Sequence, residues 1–135
     1  MGGNGTFLAS GGFSRQEYKA ARDPIAGIKV IKHILDSHTG MPKYCNTPNT
    51  MYLREDSEGN VTQLRVYRGR EPYLDVDWGH NHGRFSKGTP HVQEWHKKSD
   101  GSLRRDKEPR DLSPSEKKKF GEVFKKLGVK VEIPK

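Results

Sequence analysis

Four of the six histidines in this 135-residue chain fall within seventeen residues, at His80, His82, His91 and His96. Asp75, Asp77, Trp78, Arg84, Lys87 and Trp95 stand among them. Imidazole has an ordinary pKa near ~6.5, so it can give or take a proton near neutral pH. Two histidines on either side of a phosphodiester can therefore act as base toward a 2′-hydroxyl and as acid toward the leaving 5′-oxygen. A cation would steady the charged phosphorane between them. The same residues permit a second chemistry, because Asp77, His80, His82 and His91 supply nitrogen and oxygen donors suited to zinc or manganese. A third reading is structural: loop histidines are common, and an Asp–His pair can serve only to pin a turn. The run His80-Asn81-His82 is not the HNH nuclease motif, whose three residues lie far apart in sequence.

The metal-free chemistry is the favoured expectation and calls for no metal and no cofactor. It assigns His82 and His91 as acid and base in either order, with His80 beside them. Asp75 or Asp77 would fix an imidazole tautomer, and Arg65, Arg84 and Lys87 would hold phosphate. His33 can supply a more distant group. Cys45 is a bystander, and a single cysteine excludes an internal disulfide and a multi-cysteine zinc site. Trp78 and Trp95 are expected in the core, and Tyr67 and Tyr73 on a half-buried sheet.

The elements that must position these groups follow from periodicity. In the strand Glu71–Trp78, Tyr73, Asp75 and Asp77 alternate with Leu74, Val76 and Trp78, which places the two acids on one face. Residues 79–90 read as a loop and His91–Lys97 as the returning strand. Before them, Met51–Arg54 and Val61–Arg68 flank the turn-rich stretch 55–60 as a hairpin, and residues 37–50 form a loop. Ser14 and Glu17 fit a capping box for a short helix over 15–22, and Pro24 after Asp23 can open a second helix. Its apolar stripe would be Ile25, Ile28, Ile31 and Leu35, although 28–31 also permits a strand. At the other end, Ser113, Pro114 and Glu116 open a helix whose stripe is Phe120, Val123, Phe124 and Leu127, closed by Gly128. Val129–Ile133 can add a last strand.

The expected fold class is α+β: one or two N-terminal helices, a four-stranded antiparallel meander and a C-terminal amphipathic helix. Residues 1–13 read as a flexible Gly-rich lead-in and 14–135 as one domain. Hydrophobic residues make up only 30% of the chain, against ~45–50% in average globular proteins on a count that includes glycine. No stretch approaches the ~18 consecutive apolar residues of a membrane span, and the start lacks the features of a signal peptide. The net charge of +8 is unevenly placed, with 13 basic and 7 acidic residues from position 97 onward. Such an excess attracts phosphate without reading sequence. Lys117, Lys118 and Lys119 on the last helix are candidate phosphate contacts. A nucleic-acid-binding module without catalysis is therefore the alternative to an enzyme.

The segment 66–95 resembles a family of phage-borne and polymorphic-toxin domains. In these an Arg-x-Tyr strand leads to Asp-x-Asp, then His-Gly, then Pro-His and an aromatic. The matching positions are Arg65 or Arg68, Tyr67, Asp75, Asp77, His82, Gly83, Pro90, His91 and Trp95. Gln93 stands where the family has a second histidine, which lets the role fall on His82, His80 or His96. The resemblance implies the barnase/EndoU/colicin/RelE-like fold and a metal-independent endoribonuclease of toxin type. It implies a cytoplasmic site of action, with delivery as part of a larger protein. It also implies an acidic immunity protein or antitoxin as partner, alongside RNA.

Overall fold

The structure, a computed structural model, describes residues 18–33, 41–45 and 47–131. Seven strands precede one helix: β1 (Tyr18–Ile25), β2 (Ile28–His33), β3 (Met51–Glu55), β4 (Val61–Arg68), β5 (Glu71–Asp77), β6 (His91–Lys97), β7 (Leu103–Arg105) and α1 (Pro114–Leu127). They form one sheet in sequence order. Every neighbouring pair is antiparallel except β2 and β3, where Lys29, Val30 and Ile31 run parallel to Tyr52, Leu53 and Arg54. The protein is thus mostly β, a seven-stranded mixed sheet with a C-terminal helix. The expected α+β fold with N-terminal helices and a four-stranded meander is not what forms.

The helix expected over 15–22 is replaced, from Tyr18 on, by β1, and the one expected from Pro24 by a hairpin. Ala26 (φ 51°) and Gly27 (φ 78°) supply the two left-handed residues of a tight turn. The apolar run after them is divided between two sheet faces: Val30 joins the cluster under α1, and Ile31 packs with Tyr52 and Met41 on the other side. A run buried on both faces has no two-fold alternation, so a helix and a central strand look alike in sequence. Pro24 is accommodated because β1 is an edge strand with register shifts on either side of Arg22. β7 also escaped the sequence reading, being only three residues long. Val129–Val131 form no strand, and the lead-in 1–13 lies outside the described residues.

One face of the sheet carries the apolar core. Val30, Leu53, Leu64, Val76, Trp78 and Val92 pack against Phe120, Val123 and Phe124 of α1. The Trp78 and Phe124 rings meet edge to face at 5.5 Å. Full burial of side chains of this size stabilises by ~1.5–3 kcal/mol each. The helix begins with a complete capping box, Ser113 accepting from the Glu116 amide while the Glu116 carboxylate accepts from the Ser113 amide. Gly128 (φ 73°) closes it in the left-handed conformation. Arg110 ties this helix start to the sheet. It donates to Glu94 of β6 at 2.7 Å and to both carboxylate oxygens of Glu116 at 2.8 and 2.9 Å. The other face is mixed: Met41 and Cys45 of the β2–β3 connection pack on Ile31, Tyr52 and Tyr67, and polar residues fill the rest from Gln63 to Gln93.

The Arg110 hydrogen bonds hold the Glu116 carboxyl below its ordinary value. A depressed carboxyl pKa adds stability that is present above the unfolded-state value and is lost as pH falls through the folded value. Urea unfolding is therefore expected to show a drop in stability from about pH 5 downward, and Glu116→Gln should lower stability at pH 7 while flattening that drop. A Glu116→Gln curve parallel to the wild type at every pH would contradict the assignment.

Candidate active site

Strand alternation sets out the polar face in two rows. One row runs Tyr52, Arg65, Asp75, Gln93 across β3 to β6, and the next runs Arg54, Gln63, Asp77, His91. The two aspartates, two residues apart, do different things. Asp75 is 2% exposed and is saturated with donors. It accepts from Arg65 at 2.6 and 2.8 Å, from the Trp95 indole at 3.1 Å and from Arg105 at 3.0 Å. Arg65 and Arg105 also lie against the Trp95 ring. No histidine contact to Asp75 is present among the described residues, so its expected role as a histidine orienter is replaced by a structural one. Arg65 is likewise committed to Asp75 and to the Pro42 carbonyl, at 3.3 Å, instead of serving phosphate. Tyr67 donates to that same carbonyl.

Asp77 faces the histidines. Its Oδ1 accepts from the Gly79 amide at 2.9 Å and lies 3.0 Å from His80 Nδ1. Gly79 makes this turn possible, because a Cβ there would come within 2.6 Å of the Thr62 Cβ, an atom close to the backbone that cannot swing away. His82 is fixed by a second tight turn, in which His82 and Phe85 exchange backbone hydrogen bonds of 2.8 and 2.9 Å around Gly83 (φ 58°). His91 opens β6, with Nδ1 3.1 Å from the Thr89 carbonyl and its ring stacked on Phe85 at 5.3 Å. Burial pushes the His91 imidazole below its ordinary value, so the ring is neutral at pH 7.

These three positions converge. The ring centroids lie 5.4 Å apart for His82 and His91, 5.8 Å for His80 and His82, and 5.7 Å for His80 and His91. One ring nitrogen from each lies within 4.8 Å of the others. Two nitrogens, His82 Nδ1 and His91 Nε2, are buried and have no hydrogen-bond partner among the described residues. A buried polar atom left unpaired is destabilising by about 1–3 kcal/mol. Two in one cluster of donor atoms mark a place built to meet something else.

The cluster lies at the edge of a cleft of about 420 Å³ lined by Met41, Arg54, Gln63, Arg65, Asp77, His80, His82, Gln93 and Arg105. It continues into a groove of about 800 Å³ that adds Lys43, Trp95, Leu103, Asp106 and Lys107. His80 is exposed and His82 half-exposed, whereas His91 is fully buried. The expected His82–His91 approach is therefore present, but only His80 and His82 line the cleft. Arg54, Gln63, Gln93 and Arg105 were not among the expected site residues. Arg54 and Gln63 could have been found by extending the alternation of Asp75 and Asp77 across neighbouring strands. Arg105 could not, since β7 carries too short a pattern.

Other expected residues fall elsewhere. Arg84 pairs with exposed Asp111 at 3.1 Å, and Lys87 is exposed on the loop. Lys118 and Lys119 are exposed on α1, which covers the opposite face of the sheet, and Lys117 lines a small cavity with Thr89, Pro90 and Asp111. His96 pairs with Asp106 at 3.0 Å. His33 is buried against Tyr18. Cys45 is buried with its thiol pushed up to about 11 by burial, as a bystander's would be. Trp78 is in the core and donates to the Val61 carbonyl at 2.9 Å, but Trp95 is only half-buried, on the polar face. A hollow of about 1210 Å³ along α1 is lined by exposed Lys118, Lys125, Lys126 and Lys130 and gathers no comparable cluster among the described residues. Among the described residues no helix is long and apolar enough to cross a membrane. No family model, curated protein or solved structure matches the chain.

The division of labour between the aspartates is open to measurement. Asp75→Ala leaves Arg65 buried without its counter-charge and should lower stability by about 3–5 kcal/mol. Asp77→Ala removes two hydrogen bonds at a half-buried position and should lower it by only about 1–2 kcal/mol. Urea midpoints of equal size for the two variants would overturn the distinction.

Proposed function

We propose that the protein is an endoribonuclease whose reaction centre is the His80–His82–His91 cluster. The observation that carries this reading is the meeting of three imidazoles, two with unpaired buried nitrogens, beside a cleft whose walls hold Arg54 and Arg105. Lys43 and Lys107 extend the positive charge along the adjoining groove. A phosphodiester drawn into such a place meets cations for its charge and imidazoles for its reacting atoms. In the step proposed, the 2′-hydroxyl gives up its proton to a base in the cleft and its oxygen bonds to phosphorus. The P–O5′ bond breaks and the departing 5′-oxygen takes a proton. The products are a 2′,3′-cyclic phosphate and a 5′-hydroxyl.

The sealed position of His91 shapes the assignment. A fully buried ring cannot itself meet a substrate hydroxyl, so His80 and His82 are the members of the cluster that the cleft reaches. His91 acts from behind them. The toxin-type role, action in the cytoplasm after delivery, and an acidic inhibitor that covers the positive groove remain part of this proposal. They are supported by the resemblance of segment 66–95 and by the cations of the groove.

Incubation of the purified chain with a mixed RNA substrate tests the reading. Wild-type protein should yield cyclic-phosphate ends, and His82→Ala should slow cleavage at least ~100-fold. Charge reversal at Lys118 and Lys119, on the far face, should leave the rate unchanged. Lys43→Ala and Lys107→Ala should each reduce the salt slope of RNA binding by about 0.7, the share of one neutralised phosphate on a single strand. RNA left intact by wild-type protein in every metal state, with binding that depends on Lys118 and Lys119, would favour the non-catalytic binding module.

A further inference from the structure

We propose that His80, His82 and His91 form a three-histidine centre for a divalent ion of the zinc class, with its remaining side open to the cleft. The proposal deepens the nuclease reading by naming what the cluster does, but the ion site stands on its own geometry. Three nitrogens within 4.8 Å of one another approach the spacing of about 3.4 Å that ligands adopt around a tetrahedral ion at ~2.0–2.1 Å.

Two of the three histidines have the second partner that a metal ligand needs. Ligating histidines give their other ring N–H to a carboxylate or a carbonyl, which fixes the tautomer and raises ligand basicity. His80 has Asp77 at 3.0 Å in that position, and His91 has the Thr89 carbonyl at 3.1 Å. The Thr89 bond puts the His91 proton on Nδ1, leaving the Nε2 lone pair as the unpaired buried atom. Phe85 stacks behind His91 and keeps water from that side. A substrate group is too large to reach Nε2 of a fully buried ring, whereas a single ion beside His80 and His82 is not.

The donor set selects the ion. Imidazole nitrogens without a carboxylate ligand suit zinc and its neighbours, while magnesium and calcium take oxygen. Three protein ligands with one side open are the pattern of a catalytic zinc site, not of a closed structural one. Bound there, the ion carries a water that loses a proton near neutral pH. The resulting hydroxide accepts the 2′-hydroxyl proton, and the water so formed returns a proton to the departing 5′-oxygen. The balance of the cleavage step is then complete without a histidine changing its charge.

The test uses the full chain, stripped with dipicolinate and titrated with Zn²⁺ against a chromophoric chelator, and with Co²⁺ for its visible absorption. Wild-type protein should bind one equivalent of Zn²⁺ and give an intense tetrahedral Co²⁺ spectrum. Mg²⁺ should not compete. His80→Ala and His82→Ala, at positions that are not buried, should lose that binding with the fold retained by circular dichroism. Asp77→Asn should weaken it about 10–100-fold. RNA cleavage should vanish on stripping and return with one equivalent of Zn²⁺. No stoichiometric uptake, or uptake indifferent to His80→Ala and His82→Ala, would overturn the site. Cleavage that survives complete stripping would overturn the ion's part in the reaction and leave the nuclease standing. Stoichiometric Zn²⁺ uptake with RNA never cut would sink the nuclease and leave the metal centre.

Discussion

The buried pair of Arg65 and Asp75 is the constraint from which the polar face follows. Both side chains lie almost wholly out of water, so each charge is tolerable only in the presence of the other. Their cross-strand register fixes β4 against β5. The remaining capacity of Asp75 is filled by Trp95 from β6 and Arg105 from β7, so one carboxylate gathers donors from three other strands. Arg65 reaches the opposite way, to the Pro42 carbonyl of the β2–β3 connection. A sheet edge and a crossover that share little apolar surface are thus held to the same two residues.

With Asp75 committed, the histidines gather one row along the sheet. Asp77 sits level with His91 across β5 and β6, but its hydrogen bonds run forward to Gly79 and His80. Two tight turns then return the chain so that His82 meets His91. The cluster is held by backbone geometry at Gly79 and Gly83 as much as by side chains. It therefore sits between the strands and a loop held by two tight turns.

The positive charge beyond residue 97 has less freedom than a count implies. Lys97 pairs with Glu71, Arg104 with Asp106, Arg105 with Asp75, and Arg110 with Glu94 and Glu116. These pairs fasten β6, β7 and the start of α1 to the sheet. The helix lysines remain exposed but face away from the histidine cleft. What reaches the cleft and groove is the smaller set of Lys43, Arg54, Arg105 and Lys107, drawn from three separate segments of the chain.

By itself the sequence determined the local devices: the capping box and stripe of α1, the four strands β3 to β6, the separation of Asp75 and Asp77 from the core face, and the gathering of histidines around one loop. Each depends on spacings of two to four residues, which periodicity and turn chemistry express directly. It did not determine β1 and β2, because a strand buried on both faces, such as β2, carries the same apolar run as a helix. Nor could it say which aspartate would be consumed by Arg65, or that His91 would be sealed behind Phe85. Those outcomes depend on cross-strand register and on burial, quantities that exist only after distant segments have packed. The tertiary structure alone turned a string of histidines into three facing nitrogens, and a diffuse positive charge into a few cations beside them.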